Sequence, residues 1–381
     1  MKKTFLKSWP FFLFVAFLFA GLIIPGKDAT VVSLNDPGIA GYFKLTVPAE
    51  FYAVEPFVGL PDYLLSFQHI KSVAASILLL FLIFFMFFIR SKKLHTRIIA
   101  VAFYSLLSFV IVVAYTVLFP VPKHKLIKNN NDYLLVDFHS HSTYSHDGIA
   151  TVRQGVKWHT RHNFDAFYLT DHSVNRYAEI PRDMKRLKSK ILPGEEVQDR
   201  EGNHLLIIGL DRSISDFLTE DPASLETKRL TETAHKNGGA VIVAHWWHEK
   251  GSGLNDLYAS GVDGFEIYGR EKTPLTAKTQ KALLDFCREK NIIATGGSNW
   301  HGWGARNDVW TAIKLPGWQE LDVSQLNKKI VDAIRNKRAG LFEVLVISRH
   351  PVYPLGLNFY QIASWIVLLF IARGILSWRG V

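Results

Sequence analysis

The chain alternates between two hydrophobic patterns. Long, nearly unbroken apolar runs occupy residues 11–24, 73–89, 98–119 and 355–372, whereas residues 123–350 carry short apolar runs separated by polar stretches. A membrane-crossing helix needs about 20 apolar residues. The run 98–119 supplies them outright, and 73–89 does so once Ile70 and Ser72 are included, giving an expected helix over about 70–89. The run 11–24 is shorter and follows Lys2, Lys3 and Lys7, as a signal-peptide core would. No small-x-small cleavage site stands out after it, so it reads as a retained span. The pattern therefore predicts a membrane region over 1–122 with an outer loop at 25–69, a domain over 123–350, and a last helix within 351–381. Within the outer loop, Pro37, Pro48, Pro56 and Pro61 break up short mixed runs that suit either a cap or a membrane-surface segment.

In the large domain the short runs have strand length: 133–136, 166–169, 190–192, 205–208, 240–243, 264–267, 292–294 and 309–313. Between them lie polar-rich stretches of helical length at 152–162, 176–188, 224–237, 276–290 and 323–338. Gly238-Gly239, just past one of these, makes a good helix stop. Such alternation predicts an α/β fold, either a parallel sheet or a β/α barrel.

Charge adds a topology. The net charge is +10, but residues 123–350 are close to balanced and the excess clusters beside the apolar runs. Lys2, Lys3 and Lys7, then Arg90, Lys92, Lys93 and Arg97, then Arg373 and Arg379 flank them. The positive-inside rule makes these clusters cytoplasmic and the large domain extracytoplasmic in a multi-pass cell-membrane protein; Lys123, Lys125 and Lys128 oppose that orientation. The basicity is then topological, and no nucleic-acid partner is expected. Cys287 stands alone, which excludes internal disulfides and cysteine-rich zinc sites.

The chemistry sits where the strands end. His139 and His141 follow the first strand two residues apart, so both leave one face of an extended backbone; Asp147 lies shortly beyond. Thr170-Asp171-His172 follows the second strand and Gly194-Glu195-Glu196 the third, while His204 lies beside the fourth. His245 ends the fifth, and Gly297-Ser298-Asn299-Trp300-His301 follows the strand at 292. In a β/α barrel such ends converge on one face. Imidazole and carboxylate donors without thiolates suit Zn, Mn or Fe in a reactive site.

Taken together, His-x-His, Thr-Asp-His, Gly-x-Glu, Ala-His and Gly-Ser-x-x-His, in this order over about 133–320, resemble the PHP family, named for polymerase and histidinol phosphatase domains. The resemblance implies a distorted seven-stranded β/α barrel that binds two or three divalent metal ions and hydrolyses phosphoesters. It implies one ion held by His139, His141, Glu196 and Asn299, a second by Glu196, His204 and His245, and a third by Asp147, His172 and His301. The family usually has Asp where this chain has Asn299, whose carbonyl oxygen can ligate but carries no charge.

These readings predict a membrane-tethered phosphoesterase acting on a phosphorylated small molecule or a lipid headgroup. A non-catalytic metal or phosphate sensor and a nuclease are the alternatives. Arg176 and Arg306 are candidate phosphate clamps by loop position, and Asp171 is expected to orient a ligand histidine. His146 competes with Asp147 as a ligand. Glu195 is expected to face a helix or solvent, and Asp137 to make a structural hydrogen bond. His159, His162, His235 and His350 are expected at surface or packing positions, and His248 as a non-ligand. Trp246, Trp247, Trp300 and Trp303 are read as packing residues, with pocket lining the alternative.

Overall fold

A computed structural model describes residues 29–65, 70–87, 93–246, 251–269, 276–348 and 359–378, together with Ala16. The expected span at 11–24, the first basic cluster, Trp247, His248 and His350 lie outside the described residues. The strands are β1 (Val31–Ser33), β2 (Phe43–Thr46), β3 (Lys125–Lys128), β4 (Tyr133–Ser140), β5 (Ala166–Leu169), β6 (Lys190–Gln198), β7 (His204–Ile208), β8 (Ala240–Ala244), β9 (Gly264–Tyr268), β10 (Ile293–Gly296), β11 (Val309–Lys314) and β12 (Phe342–Ile347). Ten of them form one sheet in the order β1-β12-β11-β4-β5-β6-β7-β8-β9-β10, and β2 pairs with β3.

β4, β5 and β6 run parallel, as do β8, β9 and β10, while β7 runs antiparallel between the two groups. The sheet curls until the chain leaving β10 meets β4. There Asn299 N donates to His139 O (2.8 Å), His141 N donates to Trp300 O (2.9 Å), and Ser140 bridges Trp300. The strands β4 to β10 thus wrap into a barrel-like α/β unit, and β11, β12 and β1 extend it as an antiparallel flank. β4 is buried along its whole length, which is why it reads as a continuous apolar run. Leu134, Val136, Phe138, Leu192, Leu206 and Ile242 pack inward on helix Val323–Arg335, whose capping box joins Asp322 to Gln325.

Two expectations need revision. The helix expected over 176–188 forms only a 3₁₀ turn at Tyr177–Glu179 and a single turn at Arg182–Lys185, with Pro181 between them. Proline cannot continue the hydrogen-bond ladder and biases its predecessor out of the helical region. The segment after residue 29 also contributes a strand to the main sheet, with Val31 paired to Ile347, and then a helix, Ala49–Leu65, that runs through Pro56 and Pro61.

Among the described residues, which leave out the first of the four expected spans, one helix, Leu94–Leu118, is long and apolar enough to cross a membrane. Ile70–Phe87 and Phe359–Trp378 are helical near the expected places, but their described apolar stretches, Val73–Leu82 and Phe359–Leu368, are shorter. Helix Ala49–Leu65 packs against Leu94–Leu118 through Val58, Leu65 and Val112, and Trp303 joins that cluster.

Candidate metal centre

The direction of each strand decides what reaches the centre. His139 lies near the C-terminal end of β4, His172 just after β5, Glu196 in β6, His245 just after β8, and Asn299 and His301 after β10. His204 opens its strand instead of following it, and the reversed direction of β7 carries it to the same end. Within β4 the ladder shifts register between Asp137 and Ser140. Across that shift Asp137 turns to His159 Nε2 (3.0 Å) while His139 turns to Glu196, as a bulge allows.

Glu196 is the hub, 1% exposed. Its Oε2 lies 3.1 Å from His139 Nε2, 3.3 Å from His141 Nε2 and 3.2 Å from His172 Nδ1. Its Oε1 lies 2.6 Å from His204 Nδ1 and 3.9 Å from His245 Nε2. A second, more exposed group forms around Asp147, 3.3 Å from His301 Nε2 and 3.6 Å from His172 Nε2. His141 and His301 stack at 4.0 Å and link the two groups. His146 is exposed and reaches only 4.0 Å from Asp147, although it also falls within a possible ligand group with Asp147 and His172.

The hydrogen-bond chain around His141 fixes its tautomer. Ser145 Oγ donates to Asp171 Oδ1 (2.8 Å), so its oxygen accepts from His172 N (3.0 Å) and from His141 Nδ1 (3.0 Å). With its proton on Nδ1, His141 presents a lone pair at Nε2. That atom is buried without a hydrogen-bond partner and faces a carboxylate oxygen. Asp171, also held by Ser142 N (2.6 Å) and Ser142 Oγ (2.8 Å), acts through Ser145 and touches no ligand imidazole directly. A lone pair aimed at a carboxylate is repulsive unless a cation lies between them. The donor set therefore fits a divalent metal, and the ligand groups His139/His141/Glu196, Glu196/His204/His245 and His141/His172/His301 are each compact enough to hold one.

The same groups are strongly coupled electrostatically. Burial works against the charge on Glu196, yet His139, His141 and His204 hold its pKa well below the usual carboxylate range. Burial likewise opposes a charged His139, but Glu266 and Glu196 raise it well above an ordinary imidazole. His141 is pushed well down by burial and by the neighbouring His301. Burial and the His172 and His301 contacts compete at Asp147, and the histidines win, lowering it.

Asn299 sits inside this group, buried, with Nδ2 3.5 Å from His245 Nε2. Its φ of 45° and that of His245, 48°, are left-handed, a conformation that asparagine tolerates better than most residues. The two arginines expected as phosphate clamps lie apart. Arg176 pairs with Glu179 (3.0 Å) and lies 5.6 Å from the Tyr144 ring, in the loop between His141 and Asp147. Arg306 lies 4.7 Å over the Tyr63 ring of helix Ala49–Leu65. Trp300 is fully buried against Trp158 at 4.8 Å, and Trp246 is half-buried with Nε1 on Ser252 O (3.1 Å).

Two features of the centre were not anticipated. One is the Ser145 relay. The other is Glu266 on β9, 1% exposed, with Oε2 3.2 Å from His139 Nδ1 and 3.9 Å from His245 Nε2.

Residues 137–281 match the family model of the PHP domain. Every ligand candidate up to His245 falls inside this segment, and Asn299 and His301 lie beyond it. No curated protein matches significantly. Among solved structures, the chain is similar to a provisionally assigned metal-dependent phosphoesterase from Bifidobacterium adolescentis (17% identity, TM-score 0.38, covering 44% of this chain and 88% of that one). It is also similar to a two-domain Bacteroides vulgatus protein containing a predicted PHP-like metal-dependent phosphoesterase (20% identity, TM-score 0.35, 51% and 63%). A third is an amidohydrolase from Chromobacterium violaceum with bound sulfate and no metal (14% identity, TM-score 0.37, 52% and 96%). At such scores these likenesses stand as observations only.

Proposed function

We propose that this chain is a metal-dependent phosphoesterase. The observation that carries the reading is Glu196, a buried carboxylate within 3.3 Å of four imidazoles, two of them presenting Nε2 to the same oxygen. His139, His141, Glu196 and Asn299 would hold one ion, Glu196, His204 and His245 a second, and Asp147, His172 and His301 a third. Bound divalent ions would supply Lewis-acid polarisation of a phosphoryl oxygen and lower the pKa of an attacking water. The chain's own residues do the positioning. Asp171 holds Ser145, which sets the tautomer of His141, and the half-exposed His204 and Asp147 mark the open side where a phosphate enters. Arg176, above Tyr144, is the proposed clamp on that side.

The reading includes a membrane tether. Leu94–Leu118 exposes Ile99, Phe103, Leu106, Val110 and Ile111. Its C-terminal end is tied to the catalytic unit by Lys157, which bonds Leu118 O and lies 4.5 Å over the Phe119 ring. The proposed site is extracytoplasmic, from the charge pattern, and the proposed substrate is a phosphorylated small molecule or lipid headgroup.

The test uses the full chain in detergent, its metal content measured directly, with Mn²⁺, Zn²⁺ or Fe²⁺ supplied against an aryl phosphate monoester and a diester. Turnover that disappears in His139→Ala supports the enzyme. Stoichiometric metal with no turnover on either ester class replaces it with a metal-binding sensor. Reporters active only outside the cytoplasm, fused within 123–132 and after Val381, should give opposite signals; equal signals sink the proposed orientation.

A further inference from the structure

Glu266 is a buried carboxylate set against the back of the Glu196 hub. It belongs to β9, whose neighbours are β8, ending at His245, and β10, leading to Asn299. Both of its oxygens face His139 Nδ1, at 3.2 and 3.4 Å, and Oε2 also lies 3.9 Å from His245 Nε2. The two imidazoles stack nearly parallel at 4.9 Å, so the carboxylate bonds the first and lies beside the second.

The space for it is kept open by glycine. A Cβ on Gly297 would lie 2.3 Å from Glu266 Oε1 and 2.4 Å from His139 Cβ, and one on Gly269 would lie 3.0 Å from the same oxygen. The arrangement parallels His141, whose Nδ1 is tied to Asp171 through Ser145. In both cases the far ring nitrogen is tied to a carboxylate, directly for His139 and through Ser145 for His141, and Nε2 is left facing Glu196.

We propose that Glu266 is the positioning carboxylate of the centre: it holds His139 with its proton on Nδ1 and Nε2 toward the ion. The assignment rests on the metal-binding reading above. A carboxylate behind a ligand imidazole raises its basicity and fixes its orientation, and losing one weakens metal binding about 10–100-fold.

The experiment measures Zn²⁺ affinity and stoichiometry by competition with a chelator, on the full chain in detergent, without reference to turnover. Glu266→Gln should bind one ion about 10–100-fold more weakly, with an unchanged circular dichroism spectrum. Glu266→Asp, which keeps the charge but shortens the reach, should fall between wild type and Glu266→Gln. Wild-type uptake with unchanged affinity in Glu266→Gln overturns this assignment alone, as does a Glu266→Asp variant that binds no tighter than Glu266→Gln. A wild-type chain that takes up no ion overturns the metal reading, and this assignment with it.

Discussion

Glu195 and Glu196 are neighbours on one strand, and the pockets that receive them share almost nothing. Side chains alternate across a strand, so one glutamate enters the curled sheet and the other leaves it. Glu195 lies outside, beneath the 3₁₀ turn Ile214–Phe217, where Ser213 Oγ donates to it at 2.8 Å and Ile214 N donates as well. Burial pushes its pKa up to about 7 despite those two donors. Glu196 lies inside among bases, and its pKa moves the opposite way. The outer carboxylate is satisfied by protein N–H and O–H groups and asks for nothing else. The inner one faces His139 and His141, whose Nδ1 positions are tied to Glu266 and Ser145, so a cation would complete its pocket. A buried carboxylate–histidine contact is therefore not in itself a metal site. Asp263, bonded to His235 Nε2 (2.8 Å), Val241 N (2.8 Å) and Arg335 (3.2 Å), is another that protein donors satisfy.

The sharpest way to break this contrast is to remove each charge in turn. Glu196→Gln should release the shared ions and drop hydrolysis to background, well beyond the ~10–100-fold expected for an outer-sphere change. Glu195→Gln should keep its full metal content. Elemental analysis of both variants decides, and equal losses would erase the distinction. Next in size, Asp171→Asn should lower metal affinity about 10–100-fold by loosening Ser145 and the tautomer of His141, read by the same chelator competition.

The third effect is on stability and carries a sign. Folding raises the Glu195 pKa from 4.5 to about 7, so the folded state binds its proton more tightly than the unfolded chain. The associated stability is present below about pH 4.5 and is lost as pH rises through about 7. Glu195→Gln removes that loss, and its stability relative to wild type should climb by about 1–3 kcal/mol between pH 5 and 8 in denaturant titrations. A flat difference would show that the outer pocket tolerates the charge. The smallest expected effect is Arg176→Ala, a few-fold rise in KM with kcat retained.

Much of the centre was legible because strand ends converge. A His or carboxylate at the end of each short apolar run can be read without knowing how the sheet curls. The Gly-x-Glu spacing separated Glu196 from Glu195 because alternation is a local property. Glu266 was hidden by the same rule that hid nothing else: Gly264–Tyr268 reads as an ordinary strand, and the only signal is an acid inside a run buried on both faces. Ser145 carries no such mark, since a serine in a loop is commonplace. Pairings that span the whole chain were equally opaque. Nothing near Val31 announces Ile347 as its partner, and the membrane pattern over the first third concealed a strand that belongs to the main sheet.

Helix Ala49–Leu65 carries a practical consequence for how this chain can be divided. Its Asp62 Oδ1 accepts Ala305 N at 2.5 Å, its Tyr63 ring sits under Arg306, and Trp303 packs in its cluster with Val112. The loop it grips begins immediately after His301. A truncation that starts at residue 123 to yield a tractable soluble enzyme would discard this grip. It would also strip β1 from β12, leaving a bare strand edge that invites self-association. Its inactivity would not by itself report a dead centre, and the chemistry is to be judged on a chain that keeps β1 and helix Ala49–Leu65.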